Sequence, residues 1–435
     1  MTSHRSGPLC GQVRVPGDKS ISHRALMFGA LSTGRTRITG LLEAEDVVNT
    51  ARALTALGAT ARKTGDVWEV LGRGVGGLSE PSAPLDFGNS GTGTRLMMGV
   101  VAGQPITVTM TGDASLSKRP MGRILKPLKQ MGLQVLDTEK DTLPLKIRGT
   151  SELVPIQYEL PVASAQLKSA ILIAALAAAG ETTVIGEETR DHTERMLAFF
   201  GAKIRTERRG NKVAITVTGE AELAGADVVV PGDPSSAAFL AAAALISPGS
   251  EISISGVLIN PTRFGFYDTL RDMGADVSFQ NERSEGGEPI ADLRVRTSSL
   301  KGVRVPPERA PSMIDEYPIL AVIAAFAEGE TRMEGLAELK VKESDRLAAT
   351  AAGLVANGVA ARVEGDTLIV TGAGPRGVKG GGRVITHMDH RIAMAFLVMG
   401  LASDAPVTID DAAFIATSFK EFRPLMEGLG AKFEG

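Results

Sequence analysis

Two kinds of segment alternate along the chain. The first is an amphipathic stretch with apolar positions at helical spacing, closed by a glycine and followed by a short alternating segment. It reads LTALGATARK from Leu54, LKQMGLQVLD from Leu128 and LAFFGAKIRT from Leu197. It returns as LRDMGADVSF from Leu270, LVANGVAARV from Leu354 and LMEGLGAKFE from Leu425. Period 3.6 giving way to period 2 across a glycine predicts a surface helix, a left-handed cap and a strand. The predicted caps are Gly58, Gly132, Gly201, Gly274, Gly358 and Gly430. The second kind is an apolar run with no polar stripe, then a turn and a β-branched strand, as in SAQLKSAILIAALAAAGETTVIG and EYPILAVIAAFAEGETRMEG. Helices that are apolar all round belong in a core.

Six such pairs at a spacing of about 70 residues make an internal repeat. A linear solenoid is one way to stack them, but the long buried helices favour two globular halves of three units each. With 435 residues, two domains are also the expectation from length. One phrase occurs twice: VPGDKSISHRAL from Val15 and VPGDPSSAAFL from Val230. Only the first copy carries a lysine and an arginine.

Composition narrows the chemistry. Basic and acidic residues number 47 and 50, so the chain has no global field for nucleic acid or an anionic membrane, and an anionic ligand would need cations gathered locally. Aromatic residues are 4%, which disfavours base-stacking platforms. Cys10 is the only cysteine, which excludes an internal disulfide and a thiolate metal cage. The first dozen residues have no apolar core of a signal peptide, and no apolar run reaches membrane-spanning length. A cytoplasmic protein without membrane or nucleic-acid partners is the expectation.

Several stretches place Ser, Thr, Asp or Asn where a helix begins: GDKSISHR, FGNSGTGTRL, PVASAQLKSA, GDPSSAAF and TSFKEF. Capping explains them. Anion binding is the sharper reading, because free N–H groups and the helix dipole favour phosphate. Cations stand beside these starts: Lys19, Arg24, Arg95, Lys118, Arg119, Arg123, Arg190, Lys342, Arg346 and Arg391. A basic residue at the entrance of a buried apolar helix needs a partner. Two carboxylates lie among them, Asp315 in IDEYP and Glu343 in VKESDRL. Taken singly, an N-cap for Asp315 and an i,i+3 ion pair for Glu343 account for them; together they offer an acid–base pair. His387 and His390 flank Asp389 without a third ligand, and no G-x-S-x-G elbow exists, so neither a metal nor a serine nucleophile is expected.

The blocks PGDKSISHRAL, GNSGTGTRL, KRPMGR, ASAQLKSA, TRDHTE, PGDPSSAAF, IDEYP, VKESDRL and DHRIAM, in this order, make the chain resemble the 5-enolpyruvylshikimate-3-phosphate (EPSP) synthase family over essentially its whole length. RPMG and ASAQLKSA resemble its class II group, in which reduced glyphosate sensitivity is common. The resemblance implies an α/β, two-domain pseudo-threefold repeat fold. It has six βαβαββ units, three per domain, arranged as an inside-out α/β barrel. It implies one domain of residues 1–18 and 233–435 and another of 19–232, with crossovers near 17–19 and 232–234. The two Pro-Gly-Asp phrases would be the crossovers, with buried helices aimed at a cleft that closes on ligands.

The implied reaction moves the enolpyruvyl group of phosphoenolpyruvate to the 5-hydroxyl of shikimate 3-phosphate, in the shikimate pathway of aromatic amino-acid biosynthesis. No cofactor or metal is implied, and a monomer inhibited by glyphosate is expected. Motif by motif, the resemblance assigns shikimate 3-phosphate to Lys19, Ser20, Arg24, Ser164, Ala165, Gln166, Arg190, Asp315 and Lys342. It assigns phosphoenolpyruvate to Lys19, Gly91, Arg119, Gln166, Arg346 and Arg391. Asp315, Glu343 and Lys19 would carry the catalysis. The two substrates bring about five to six negative charges, and seven of these cations are about the number that would balance them. Some relatives carry a lysine where Thr417 stands in ATSFKEF, and Lys420 is out of register with it. An alanine at position 91 in relatives would crowd glyphosate; Gly91 leaves that space open. Two alternatives remain: UDP-N-acetylglucosamine enolpyruvyl transferase, which uses a mid-domain cysteine this chain lacks, and a non-catalytic anion-binding scaffold.

Overall fold

The computed structural model describes residues 1–136 and 141–435. The chain divides into two compact units. The terminal unit holds Met1–Pro16, Pro231–Ser284 and Pro289–Gly435; the central unit holds Gly17–Val230 and Glu285–Glu288. Helices of the central unit are α1 (Lys19–Leu31), α2 (Glu45–Ala56), α3 (Gly91–Ala102), α4 (Gly122–Met131), α5 (Ala165–Ala175) and α6 (His192–Phe199). Those of the terminal unit are α7 (Pro234–Ile246), α8 (Gly265–Asp272), α9 (Ala310–Met313), α10 (Tyr317–Phe326), α11 (Arg346–Ala356), α12 (His390–Gly400) and α13 (Phe422–Leu429).

Each unit contains three four-stranded sheets of one design. In the central unit these run, in strand order, Asp227–Val229, Arg35–Thr39, Val67–Leu71, Thr60–Thr64; Leu85–Asp86, Thr107–Thr111, Leu145–Arg148, Gln134–Val135; and Gln157–Glu159, Glu181–Gly186, Lys212–Thr218, Ile204–Arg209. In all six sheets the first strand pairs parallel with the second, and the second antiparallel with the third. The chain's first strand, Thr2–His4, completes the last sheet between Val407–Ile409 and Lys432–Glu434. Alternation sets the faces: in Arg35–Thr39 the side chains of Thr36 and Ile38 are buried while Arg35, Arg37 and Thr39 are exposed.

The apolar runs are the buried helices. Every residue of α7 and α12 is buried, as is α10 as far as Ala325. Helices α7, α10 and α12 pack on one another, and α3 packs on α1 and α5. The α3–α5 approach is close enough that a Cβ on Gly99 would lie 2.4 Å from the Ala170 carbonyl oxygen, so only glycine fits there. All six predicted glycine caps follow the six amphipathic helices with positive φ, from +78° at Gly358 to +122° at Gly132. Four of the five predicted helix starts are capped by side chains: Asp18, Ser90, Ser164 and Asp233 each accept a hydrogen bond from a first-turn N–H. TSFKEF is the exception. Ser418 closes the short 3-10 turn Ala413–Thr417, and α13 begins later, at Phe422, without a side-chain cap.

Candidate active site

In the central unit the functional side chains gather at the polar starts of α1, α3 and α5. Asp18 accepts from the Ile21 N–H at 2.8 Å, which starts α1 at Lys19. The Lys19 Nζ donates to Asp46 Oδ2 in the first turn of α2 at 3.0 Å. Arg24, one turn on, is only 3% exposed. Its guanidinium donates to Thr193 Oγ1 (2.7 Å), Ser169 Oγ (2.8 Å) and the Ser20 carbonyl (2.9 Å). Ser164 caps α5, placing Ala165 and Gln166 in its first turn. Gln166 is fixed at both ends: Arg95 Nη1 donates to its Oε1 at 2.9 Å, and its Nε2 donates to Thr92 Oγ1 at 2.9 Å.

Ser90 caps α3, whose first residue is Gly91. Arg119 reaches back to this end, donating from Nη2 to Asn89 Oδ1 at 2.5 Å and to Ser115 Oγ at 3.3 Å. Asn89 is in turn held by Asp113 at 2.6 Å. A Cβ on Gly91 would meet Arg119 Nη1 at 2.9 Å and Arg95 Nη1 at 3.1 Å. Two guanidinium groups therefore converge on the start of α3, where dipole and free N–H groups already favour an anion. Arg190 stands just ahead of α6.

In the terminal unit the centre is Arg346, 1% exposed, at the first residue of α11. Its Nε donates to Asp389 Oδ2 (2.8 Å), Nη1 to Asp315 Oδ1 (3.1 Å) and Nη2 to Glu343 Oε2 (2.5 Å). Burial alone would lower the pKa of this guanidinium, but Asp389, Glu343 and Asp315 together raise it above the ordinary arginine value. Lys342 Nζ also lies 3.3 Å from Asp315 Oδ1. The two carboxylates singled out in the sequence are thus brought together by one cation. The i,i+3 pair of Glu343 is present, but Asp315 is not an N-cap: α10 starts at Tyr317 behind Glu316, and Asp315 faces Lys342 and Arg346 instead. Asp389 caps α12 by accepting from the Arg391 N–H. Among the described residues the Arg391 guanidinium has no hydrogen-bond or ion-pair partner, although the residue is only 7% exposed. Its nitrogens are not among the solvent-excluded atoms, so the guanidinium opens to solvent and is available to an anion.

Thr417 turns its hydroxyl to the Phe414 carbonyl, and Lys420 lies against Glu421. His387 and His390 join no metal-competent group among the described residues; the one such group is Asp191, His192 and Glu288. Arg195 already bonds Asp191 at 2.7 Å and lies 3.8 Å from Glu288, offsetting part of their charge.

The sequence profile of EPSP synthase, 3-phosphoshikimate 1-carboxyvinyltransferase, matches residues 4–426. The chain belongs to the EPSP synthase family. The chain is 61% identical to a 3-phosphoshikimate 1-carboxyvinyltransferase of Methylorubrum populi, across all of this chain and 97% of that one. Identity is also 61% with the protein of the same name from Parvibaculum lavamentivorans, with the same coverage. Among solved structures, EPSP synthase from Acinetobacter baumannii superposes with a TM-score of 0.87 at 45% identity, covering 100% of this chain and 99% of that one. The enolpyruvyl transferase NikO from Streptomyces tendae, 18% identical over 99% of this chain and 97% of its own, shares the fold at a TM-score of 0.78.

Some residues that build these groups escaped the motif-based site assignment of an EPSP synthase. Arg95 was visible as a cation after the glycine loop, but its grip on Gln166 was not. Asp46, Asn89 and Asp113 hold Lys19 and Arg119 from distant turns. Asp389 was noticed only beside two histidines, whereas it anchors Arg346.

Proposed function

We propose that this protein transfers the enolpyruvyl group of phosphoenolpyruvate to the 5-hydroxyl of shikimate 3-phosphate, releasing phosphate, the activity named for its relatives. The observation that carries the reading is Arg391: a largely buried residue at a helix start whose guanidinium has no partner among the described residues, two residues from the Asp389 that holds Arg346. A planar fork of N–H donors suits carboxylate and phosphate. Phosphoenolpyruvate is assigned to Lys19, Gly91, Arg119, Gln166, Arg346 and Arg391. Shikimate 3-phosphate is assigned to Lys19, Ser20, Arg24, Ser164, Ala165, Gln166, Arg190, Asp315 and Lys342. Arg346 differs from the others in that three of its N–H groups already serve carboxylates, so its first task is to hold Asp315 and Glu343 in place.

Addition and elimination then follow from two protonation roles. Asp315, assisted by Lys19, takes the proton of the 5-hydroxyl as its oxygen bonds to C2 of phosphoenolpyruvate. Glu343 gives a proton to the methylene C3, which becomes a methyl group in a tetrahedral intermediate. In the second step Glu343 takes a proton back from the methyl group, Asp315 returns its proton to the departing phosphate oxygen, the C2–O bond to phosphate breaks, and the enol ether is restored. Glyphosate is proposed to compete at the phosphoenolpyruvate residues, and the protein to act as a monomer.

Phosphate release with both substrates tests the assignment, with a UDP-sugar as the competing acceptor. Glu343→Gln should retain shikimate 3-phosphate binding while turnover falls by about 100-fold or more. Full turnover in that variant, or release with the UDP-sugar alone, would refute the reading.

A further inference from the structure

We propose that Lys168 and Glu194 form a positioning pair that keeps the shikimate 3-phosphate residues of the central unit in register without touching substrate. The inference rests on the function proposed above. Lys168 is the fourth residue of α5 and the one charge in a buried run from Leu167 to Ala175. It is 1% exposed. Placing an ammonium there costs several kcal/mol unless the surroundings return it.

The Lys168 side chain spans a specific gap. Its Nζ lies 2.5 Å from Glu194 Oε1 and donates to the Thr189 carbonyl at 3.4 Å. Thr189 and Glu194 bracket Arg190. The same residue's backbone N–H donates to the Ser164 carbonyl at 3.1 Å, in the turn that carries Ser164, Ala165 and Gln166. One lysine therefore fixes the distance between the start of α5 and the segment bearing Arg190.

Arg24 belongs to the same patch. It bonds Ser169 of α5 and Thr193 of α6, and those two hydroxyls bond each other at 2.7 Å. Burial pushes the Arg24 guanidinium down to about 10, and Glu194 is the first group opposing that shift, followed by Asp18. Glu194 thus supports two buried cations at once. Its second oxygen, Oε2, is buried with no hydrogen-bond partner among the described residues. A pair selected only for stability would satisfy both oxygens, or would be apolar.

The test replaces the pair with apolar side chains, Lys168→Met with Glu194→Leu, and measures thermal denaturation, calorimetric binding of shikimate 3-phosphate and KM for each substrate. Stability should fall only modestly: the apolar pair removes its own desolvation cost, while Arg24 loses Glu194 but keeps its hydrogen bonds to Thr193, Ser169 and Ser20. The Kd and KM for shikimate 3-phosphate should rise by about tenfold or more, the loss of one well-placed charged contact. The KM for phosphoenolpyruvate should move by less than about threefold, because its residues are held by other contacts. A folded double variant with unchanged shikimate 3-phosphate affinity, or with both KM values raised equally, overturns the proposal. If the double variant does not fold, Glu194→Gln, nearly the same shape, takes the same titration with the same two outcomes. A wild-type protein that binds no shikimate 3-phosphate would instead overturn the functional assignment beneath it.

Discussion

Replacing Gly91 with alanine probes the start of α3 with a single methyl group. Gly91 has no positive φ, so alanine meets no backbone penalty there. The new Cβ would lie 2.9 Å from Arg119 Nη1 and 3.1 Å from Arg95 Nη1, where about 3.4 Å is the near edge of ordinary contact. Arg119 must recede by about half an ångström. It cannot do so freely, because Nη2 is held by Asn89 at 2.5 Å and Asn89 by Asp113 at 2.6 Å. A hydrogen bond to a charged group is worth about 1.5–3 kcal/mol, so misplacing one should cost phosphoenolpyruvate about 1 kcal/mol, or roughly fivefold in KM. Glyphosate has a longer span between phosphorus and carboxyl carbon, so it should lose more under the same crowding. Folding stability should hold or rise by less than about 1 kcal/mol, since alanine suits a helix better than glycine. Steady-state kinetics with glyphosate inhibition, beside thermal denaturation, give all three numbers. Equal losses for phosphoenolpyruvate and glyphosate, or a shikimate 3-phosphate KM that moves as much, would refute the contact.

Arg391→Met should raise the phosphoenolpyruvate KM by about 30-fold or more with no loss of stability, since among the described residues the guanidinium has no partner to strand. Arg346→Met should lose about 3–5 kcal/mol, because Asp389, Glu343 and Asp315 would each lose their ion pair to it; equal Tm losses in the two variants would contradict the distinction. Burial, with repulsion from Lys19 and Arg24, pushes the His23 imidazole down to about 3. The unfolded chain takes up that proton near pH 6.5, so His23 contributes its full stability above about pH 6.5, and this is lost on acidification towards pH 3 at about 1.4 kcal/mol per unit. In His23→Gln that component of the acid slope should vanish from a pH series of denaturation midpoints, and an unchanged slope would count against it. His387 and Met388 adopt φ of 53° and 62° in a turn closed by Asp389 N–H to the Thr386 carbonyl. Changing them to Asn and Gly, the pair such turns favour, should add about 1 kcal/mol in denaturant unfolding, and a loss would show that the native side chains support the turn.

Periodicity carried most of the fold. The glycine after each amphipathic helix has a local cause, a left-handed cap, so six separate windows of sequence each reported it. The apolar helices were equally legible, because a run with no polar stripe has nowhere to go but a core. TSFKEF misled for the converse reason. Ser418 and Thr417 have the residue types of a cap, but the chain spends them on a 3-10 turn, and the choice between the two lies in tertiary packing. The strand order was not local either: Thr2–His4 finds its neighbours more than 400 residues away.

The site shows where sequence reading stops. Arg346 and Arg391 look alike on the page, each a cation entering an apolar helix. In the folded unit one is held by Asp389, Asp315 and Glu343, while the other has no such partner among the described residues. The difference between a scaffold cation and a ligand cation is the count of carboxylates within reach, and those carboxylates come from as far as 43 residues from the arginine they hold. The same holds for Lys168, which reads as an oddity in an alanine-rich run until Glu194 and Thr189 close around it. Motifs locate the charges; burial and pairing decide which of them await a substrate, and only the unanswered ones should cost binding without costing stability when removed.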